Sequence, residues 1–190
     1  NKTDEYNAYI KVDGKDVYLD IKDEEIENII ASIEKEEKEV TPDFVTENPV
    51  KVNIPENLGL EVMKSTMWNE YNERCITCGR CNFVCPTCTC FTMQDISYKD
   101  NKNAGERRRV WASCHVDGYT DMAGGHSFRK EKGQKMRFKT LHKVYDYKKK
   151  WGYHMCVGCG RCDDICPEYI SFSTIINKLE DAMNEVKNND

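Results

Sequence analysis

Residues 75–86 read Cys-Ile-Thr-Cys-Gly-Arg-Cys-Asn-Phe-Val-Cys-Pro, and residues 156–167 read Cys-Val-Gly-Cys-Gly-Arg-Cys-Asp-Asp-Ile-Cys-Pro. Both segments have the spacing C-x2-C-x2-C-x3-C-P, and both carry Cys-Gly-Arg-Cys at their centre. This pair of cysteine runs is the internal repeat of the chain. The remaining sequence is best interpreted outward from it.

This spacing is typical of [4Fe-4S] ligation, in which three thiolates of a run bind one cubane and the fourth cysteine binds the other. The crossed pairing predicts two [4Fe-4S] clusters. The first would be held by Cys75, Cys78, Cys81 and Cys166, and the second by Cys156, Cys159, Cys162 and Cys85. We expect a helix to begin at each fourth cysteine, with the proline at the first helical position, where it needs no N–H.

Two other interpretations of the cysteines remain open. A structural zinc site needs four ligands in total, usually as two separated Cys-x2-Cys pairs. Each run here offers four sulfurs on its own, with a final x3-Cys-Pro step that zinc does not require. The clusters could also serve solely as staples of an assembly module. Two neighbouring clusters favour electron transfer over a zinc site and over a purely structural role.

The composition limits the class of protein. The chain has 11 cysteines in 190 residues, an odd number in a chain longer than most disulfide-rich scaffolds. Reduced thiolates in a cytoplasmic protein are therefore expected. No apolar run approaches the roughly 18–20 residues of a membrane-spanning helix, so membrane insertion is not expected. The chain begins with Asn1 rather than Met, and we expect it to be part of a longer protein.

Charge is distributed unevenly along the chain. Residues 1–70 hold 18 acidic and 8 basic side chains, whereas residues 71–190 hold 15 acidic and 20 basic ones. This balance indicates a docking surface or a separate acidic lobe, and it does not indicate a nucleic-acid partner, which usually binds a strongly basic domain. We predict an acidic segment over 1–40, an extended proline-containing connector over 41–58 and a dicluster domain over 59–184.

The acidic segment carries local signals of its own. Asp13-Gly14 separates two β-prone runs within residues 8–21 and predicts a hairpin. Asp23 is expected to cap a helix that continues to about Val40. Its apolar residues at helical spacing are Ile26, Ile29, Ile30 and Ile33.

Within the dicluster segment we expect a helix from about Leu60 to Glu73 and a final helix after Pro167. The first should pack through Val62, Met63, Met67 and Trp68, and the last through Ile175, Ile176, Leu179 and Met183. Between the runs, the basic stretch from Arg129 to Lys150 is interpreted as a solvated face, with a docking surface for an acidic partner as the alternative.

Several residues near the runs have open roles. Cys88, Cys90 and Cys114 could be alternative ligands, an extra site or buried reduced thiols, which are common in proteins. Arg80 and Arg161 each precede the third cysteine of a run, where they could either tune a cluster or face solvent. The histidines show no metal-ligand spacing, and no catalytic residue is predicted.

With these motifs, the chain resembles the iron–sulfur electron-transfer subunit of anaerobic, NADH-dependent sulfite reductase. The resemblance rests on the stretches 78–91, 105–115, 122–129, 136–139 and 156–162, so it includes the segment between the cysteine runs. Looser similarity links the same module to β-type subunits of cytoplasmic hydrogenases.

The resemblance implies that the chain transfers electrons and is not itself catalytic. Electrons from NAD(P)H would be supplied by a flavin- and nicotinamide-binding subunit, while a sirohaem subunit would reduce sulfite to sulfide. The implied fold is α+β and mainly helical, an α-helical dicluster ferredoxin-like domain with a long insertion between its motifs. A hydrogenase-like complex is the alternative within the same class, and an enzyme that uses Cys88, Cys90 or Cys114 is the alternative from another class.

Overall fold

The computed structural model describes residues 4–41 and 46–189. The chain divides into two compact units, with the boundary between Pro49 and Val50. This boundary falls inside the segment 41–58 that the sequence assigns to a connector; Pro42 lies outside the described residues. No helix among the described residues is long and apolar enough to cross a membrane.

The N-terminal unit is built on a hairpin. Strand β1 (Ala8–Asp13) pairs antiparallel with β2 (Asp16–Ile21), and Val12 lies opposite Val17. Gly14 in the connecting turn has a φ of 61°, a conformation that glycine adopts without steric cost. The predicted hairpin is therefore confirmed.

Helix α1 (Glu24–Ile30) follows the hairpin. The Asp23 carboxylate accepts hydrogen bonds from the backbone N–H groups of Glu25 and Ile26, at 3.0 and 3.1 Å, so the predicted cap is confirmed. The predicted extension to Val40 is wrong. No residue of α1 is buried, and a short helix without a packed apolar face gains too little to propagate into the charged run that follows.

The C-terminal unit begins with helical turns where one helix was predicted. Two 3-10 segments, Leu60–Lys64 and Thr66–Asn69, precede α2 (Glu70–Arg74). Ser65 interrupts them in an extended conformation, because its hydroxyl accepts a hydrogen bond from the Met67 N–H and caps the second segment. Val62 and Trp68 are buried as predicted, but Met63 is 38 % exposed.

A second hairpin lies between the cysteine runs. Strand β3 (Phe91–Ser97) pairs antiparallel with β4 (Gly105–Trp111), with Phe91 opposite Trp111. The sequence analysis did not predict it. Both strands are mostly exposed, so they lack the alternation of buried and exposed residues that identifies a strand.

A continuous helical segment follows, made of α4 (Lys132–Leu141), a π-helical stretch (His142–Asp146) and α5 (Tyr147–Trp151). Its start approaches the preceding helical turns closely. A Cβ atom on Gly133 would lie 2.3 Å from the Trp68 carbonyl oxygen, and the Gly133 N–H donates to Asn72 Oδ1 at 2.8 Å. Glycine is required here because a side chain would separate the two elements.

Helices α7 (Phe172–Asn177) and α8 (Leu179–Asn189) complete the domain. The predicted apolar residues Ile175, Ile176, Leu179 and Met183 are all buried, although two helices replace the single one expected. Together with Val62, Trp68 and Tyr71 they form the core, which also includes Cys75. The first cysteine run is therefore anchored directly in the apolar interior.

Candidate metal centre

The two cysteine runs repeat in structure as they do in sequence. Gly79 and Gly160 share a φ of 74° and precede the one-turn helices α3 (Arg80–Phe83) and α6 (Arg161–Asp164). These helices contact each other, so the two runs face one another.

The expectation that a helix begins at each fourth cysteine is wrong. The one-turn helices precede Cys85 and Cys166, and a turn follows each of these cysteines. The carbonyl of Cys85 accepts a hydrogen bond from the Cys88 N–H at 3.2 Å, and that of Cys166 accepts one from the Tyr169 N–H at 3.1 Å. These bonds close short turns, and the next helix in the second run starts only at Phe172.

The structure brings together the four sulfurs of the first predicted set. One cavity is lined by Cys75, Cys78, Cys81 and Cys166, and also by Cys162 of the second set. Burial raises the pKa of the Cys75 thiol, and the three other thiols raise it further because they lie close by. The backbone N–H of Thr77 donates to Cys75 Sγ and that of Ile170 to Cys166 Sγ, both at 3.4 Å. Such bonds stabilise anionic sulfur.

The second predicted set is assembled less completely. Cys162 lies near Cys156, and burial raises the pKa of Cys162 to about 12. Cys85 instead interacts with Thr87, Cys88 and Lys143. The assignment of Cys85 to the second set therefore depends on the repeat, and that of Cys166 to the first set stays a prediction, because Cys162 of the second set lines the same cavity. Among the described residues, no group of three His, Cys, Asp or Glu converges tightly enough to hold a single metal ion.

Three lysines of the basic stretch are buried, which corrects the prediction of a solvated face for these positions. Lys135, Lys139 and Lys143 recur every four residues and are 4 %, 4 % and 3 % exposed. Lys135 pairs with the carboxylate of Asp117. Lys139 on α4 and Lys143 in the π-helical stretch interact with the cysteines, because the face of this helical segment that carries them packs inward.

Lys139 lines the cavity together with cysteines of both sets. Burial disfavours its charge, but Cys81 and Cys162, one from each set, outweigh this effect and raise the pKa of Lys139. Its ammonium also lies 4.8 Å from the centre of the Phe172 ring. A buried cation is costly unless an anion compensates it, and none of these partners is a carboxylate. The cysteines satisfy Lys139 only as thiolates, the form in which they bind metal.

His115 supplies a second unusual group beside the same cavity. It is 1 % exposed, and its Nε2 atom has no hydrogen-bond partner in the described part of the chain. Nδ1 lies 4.0 Å from Cys75 Sγ. Burial, followed by the charges of Lys139 and Lys135, lowers the pKa of His115 to about 3, so the ring is neutral. A buried ring nitrogen without a partner from the described residues fits a site that holds a further group, such as the inorganic sulfide of a cluster.

These groups are consistent with an iron–sulfur centre: converging thiols, a buried ammonium and an unpaired imidazole nitrogen. Sequence reasoning did not single out Lys139, Lys143 or His115 as site residues. The four-residue lysine spacing was visible, but the sequence carries no signal for the direction in which that face points. Arg80 and Arg161, in contrast, are exposed.

Comparison with protein-family models identifies the domain. The model described as a 4Fe-4S dicluster domain matches residues 74–170. The chain belongs to this 4Fe-4S dicluster family. Two [4Fe-4S] clusters are accordingly its cofactors, as the sequence predicted, and the matched range of the dicluster domain includes both cysteine runs.

A curated relative is similar to this dicluster protein over most of the chain. Sulfhydrogenase 2 subunit beta of Pyrococcus furiosus is 29 % identical over 171 residues, which are 90 % of this chain and 48 % of the relative. The chain thus spans about half the length of that relative. No solved structure matches this chain.

Proposed function

We propose that this chain is an electron-transfer subunit of a larger oxidoreductase and catalyses no reaction alone. Its two [4Fe-4S] clusters would each carry one electron at a time. The first would be bound by Cys75, Cys78, Cys81 and Cys166, and the second by Cys156, Cys159, Cys162 and Cys85. The dicluster domain would extend over 59–184, preceded by the acidic segment and its connector.

The position of Lys139 is the observation that carries this proposal. Its ammonium interacts with Cys81 of the first set and Cys162 of the second, and all three residues line one cavity. Two redox centres this close are suited to passing electrons between them. A cation beside them also stabilises the reduced form of each, since reduction adds negative charge.

The chain's own residues would control the potential of each cluster. Lys143 donates to Cys85 Sγ at 3.1 Å, and the backbone N–H groups of Thr77 and Ile170 donate to Cys75 and Cys166. Hydrogen bonds to cluster sulfurs are among the means by which proteins adjust reduction potential. The exposed Cys78 and Cys159 are the ligands through which a partner would approach most closely.

We infer two candidate complexes. The motifs over 78–91 and 105–129 support anaerobic sulfite reductase, in which a flavin- and nicotinamide-binding partner would supply the electrons and a sirohaem subunit would receive them. The similarity to sulfhydrogenase 2 subunit beta supports a hydrogenase-like complex at least as well. Cysteine that must stay reduced favours a cytoplasmic location for either complex.

The first experiment measures iron, acid-labile sulfide and zinc in the chain purified without oxygen. About eight irons and eight sulfides, with an interacting pair of reduced-cluster EPR signals, are expected. Stoichiometric zinc without sulfide would refute electron transfer. To separate the two complexes, the tagged chain is isolated with its partners: a sirohaem absorption band indicates sulfite reductase, and bound nickel indicates a hydrogenase.

A further inference from the structure

Three cysteines outside the proposed ligand sets lie together where the β3–β4 hairpin begins and ends. Cys90 immediately precedes β3, and its carbonyl accepts a hydrogen bond from the Ala112 N–H at 3.0 Å. Cys114 follows Ala112 by two residues and is 5 % exposed. Because the ends of antiparallel strands emerge side by side, the hairpin returns Cys114 to Cys90. Cys88 is buried next to them.

The sulfurs of Cys90 and Cys114 are in hydrogen-bond contact. Cys90 Sγ accepts from the Cys114 thiol, from the Cys114 backbone N–H and from the Tyr119 hydroxyl. The bond from the Cys114 thiol, above all, lowers the pKa of Cys90 to about 5. The same bond raises the pKa of Cys114. The hydrogen bond therefore favours a thiolate at Cys90 beside a thiol at Cys114.

The pair is also connected to the metal centre. Asn82, which follows Cys81 and is fully buried, donates to Cys114 Sγ at 2.9 Å and to Ser113 Oγ at 3.1 Å. On the other side, Cys114 interacts with Cys88, whose thiol is hydrogen-bonded to Cys85. Asn82 thus connects the pair to Cys81 of the first proposed ligand set, and Cys88 connects it to Cys85 of the second.

We propose that Cys90 and Cys114 form a redox-active dithiol that exchanges two electrons with the clusters, a role that rests on the proposed function. On oxidation, a bond forms between the two sulfurs and the S–H bond of Cys114 breaks. The proton leaves to solvent, and one electron goes to each oxidised cluster. Reduction reverses each step: two electrons return, one proton is taken up by Cys114, and Cys90 becomes a thiolate.

The geometry favours this pair over the others that the three thiols offer. A thiolate held against a thiol sulfur is the arrangement from which a disulfide forms. Cys88 is instead bonded to Cys85, and a disulfide there would remove a proposed cluster ligand. The consequence is functional. Two one-electron carriers coupled to a two-electron store can deliver electrons to a partner in pairs.

The test uses the full chain loaded with its clusters and purified without oxygen. After mild oxidation, free thiols are alkylated and the peptides are analysed by mass spectrometry, and a parallel sample is titrated with dithionite. A Cys90–Cys114 linkage is expected, with about four electrons per chain for full reduction. Cys90→Ser and Cys114→Ser should need about two, whereas the control Cys88→Ser should still need about four.

Free, alkylated Cys90 and Cys114 after oxidation of the wild-type chain would overturn the proposal, as would an uptake of about two electrons. A metal beyond the eight expected irons, lost in Cys90→Ser, would overturn it in favour of a third metal site. The iron and sulfide count of each variant tests the cluster assignment separately. If a serine variant fails to load iron, the proposal is judged on the wild-type chain alone, by the presence or absence of the Cys90–Cys114 disulfide after oxidation.

Discussion

The Lys143 ammonium lies 3.1 Å from the sulfur of Cys85, inside the domain, and the groups that raise its pKa are the thiols of Cys88 and Cys85. The same nitrogen donates to Thr87 Oγ1 at 3.2 Å. Cys85 is a proposed ligand of the second cluster, so a fixed positive charge lies directly beside that cluster. Bonds of this type bias a cluster toward its reduced, more negative state.

Replacing Lys143 with methionine should lower the midpoint potential of one cluster by about 60 mV, a tenfold change in a one-electron equilibrium. The side chain keeps a similar length, so the loss of charge and of the hydrogen bond dominates. An EPR-monitored redox titration measures the shift. Lys148→Met, at an exposed position of α5, is the control and should leave both potentials unchanged. An equal shift in the two variants would contradict a local effect.

Lys139→Met should differ from Lys143→Met in affecting both clusters. Lys139 interacts with one cysteine of each set, so the loss of its charge lowers both potentials together. Lys139→Arg retains the charge, so it should change the potentials less than Lys139→Met if the larger guanidinium group fits. The same titration distinguishes one shifted signal from two. A change confined to a single cluster would place Lys139 nearer one set than we propose.

The crossed pairing predicts different iron contents for two double variants. Cys75→Ala with Cys166→Ala removes two ligands of one cluster and should leave about four irons per chain. Cys75→Ala with Cys85→Ala removes a ligand from each cluster and should reduce iron well below that. Iron and sulfide analysis after anaerobic purification gives the answer. Uncrossed pairing would reverse the two results.

The repeated glycines offer a matched test of packing. Gly79 and Gly160 have the same φ of 74°, so alanine introduces similar backbone strain at either site. A Cβ on Gly79 would also lie 2.8 Å from Val116 Cγ2 and 3.0 Å from Ser113 Cβ, whereas Gly160 faces open space. Gly79→Ala should therefore cost about 1–3 kcal/mol more than Gly160→Ala. Thermal unfolding of the cluster-loaded variants measures the difference, and equal losses would mean that Ser113 and Val116 move aside.

Local signals in the sequence were sufficient for several elements. The Asp13-Gly14 turn and the Asp23 cap involve neighbouring residues alone, and both were predicted. The cysteine spacing similarly predicted the two [4Fe-4S] clusters of the dicluster family. Helix α1 was predicted too long, because its isoleucines have the right spacing but none of them in the helix is fully buried.

The remaining features depend on contacts between distant parts of the chain. Strands β3 and β4 expose most of their side chains, so pairing and not burial defines them. The lysines of α4 look like a solvated face in any window of sequence. Lys135 pairs with Asp117, whereas Lys139 and Lys143 are buried beside thiols. All of these partners lie far from the lysines in sequence. His115 is isolated in sequence, and its role emerges solely from the cavity that it lines with Cys75.

The cavity that joins Cys75, Cys78 and Cys81 to Cys166 also constrains how the protein is made. During translation, Cys75, Cys78 and Cys81 are synthesised well before Cys166. These three thiols must therefore stay reduced until Cys166 is available. Under the crossed pairing, the second set is completed when Cys162 has been synthesised, since Cys85 is already present. The first set is completed four residues later, at Cys166. Under that pairing, a nascent chain halted before the second run would hold neither cluster. Assembly of both clusters would then depend on the C-terminal part of this domain.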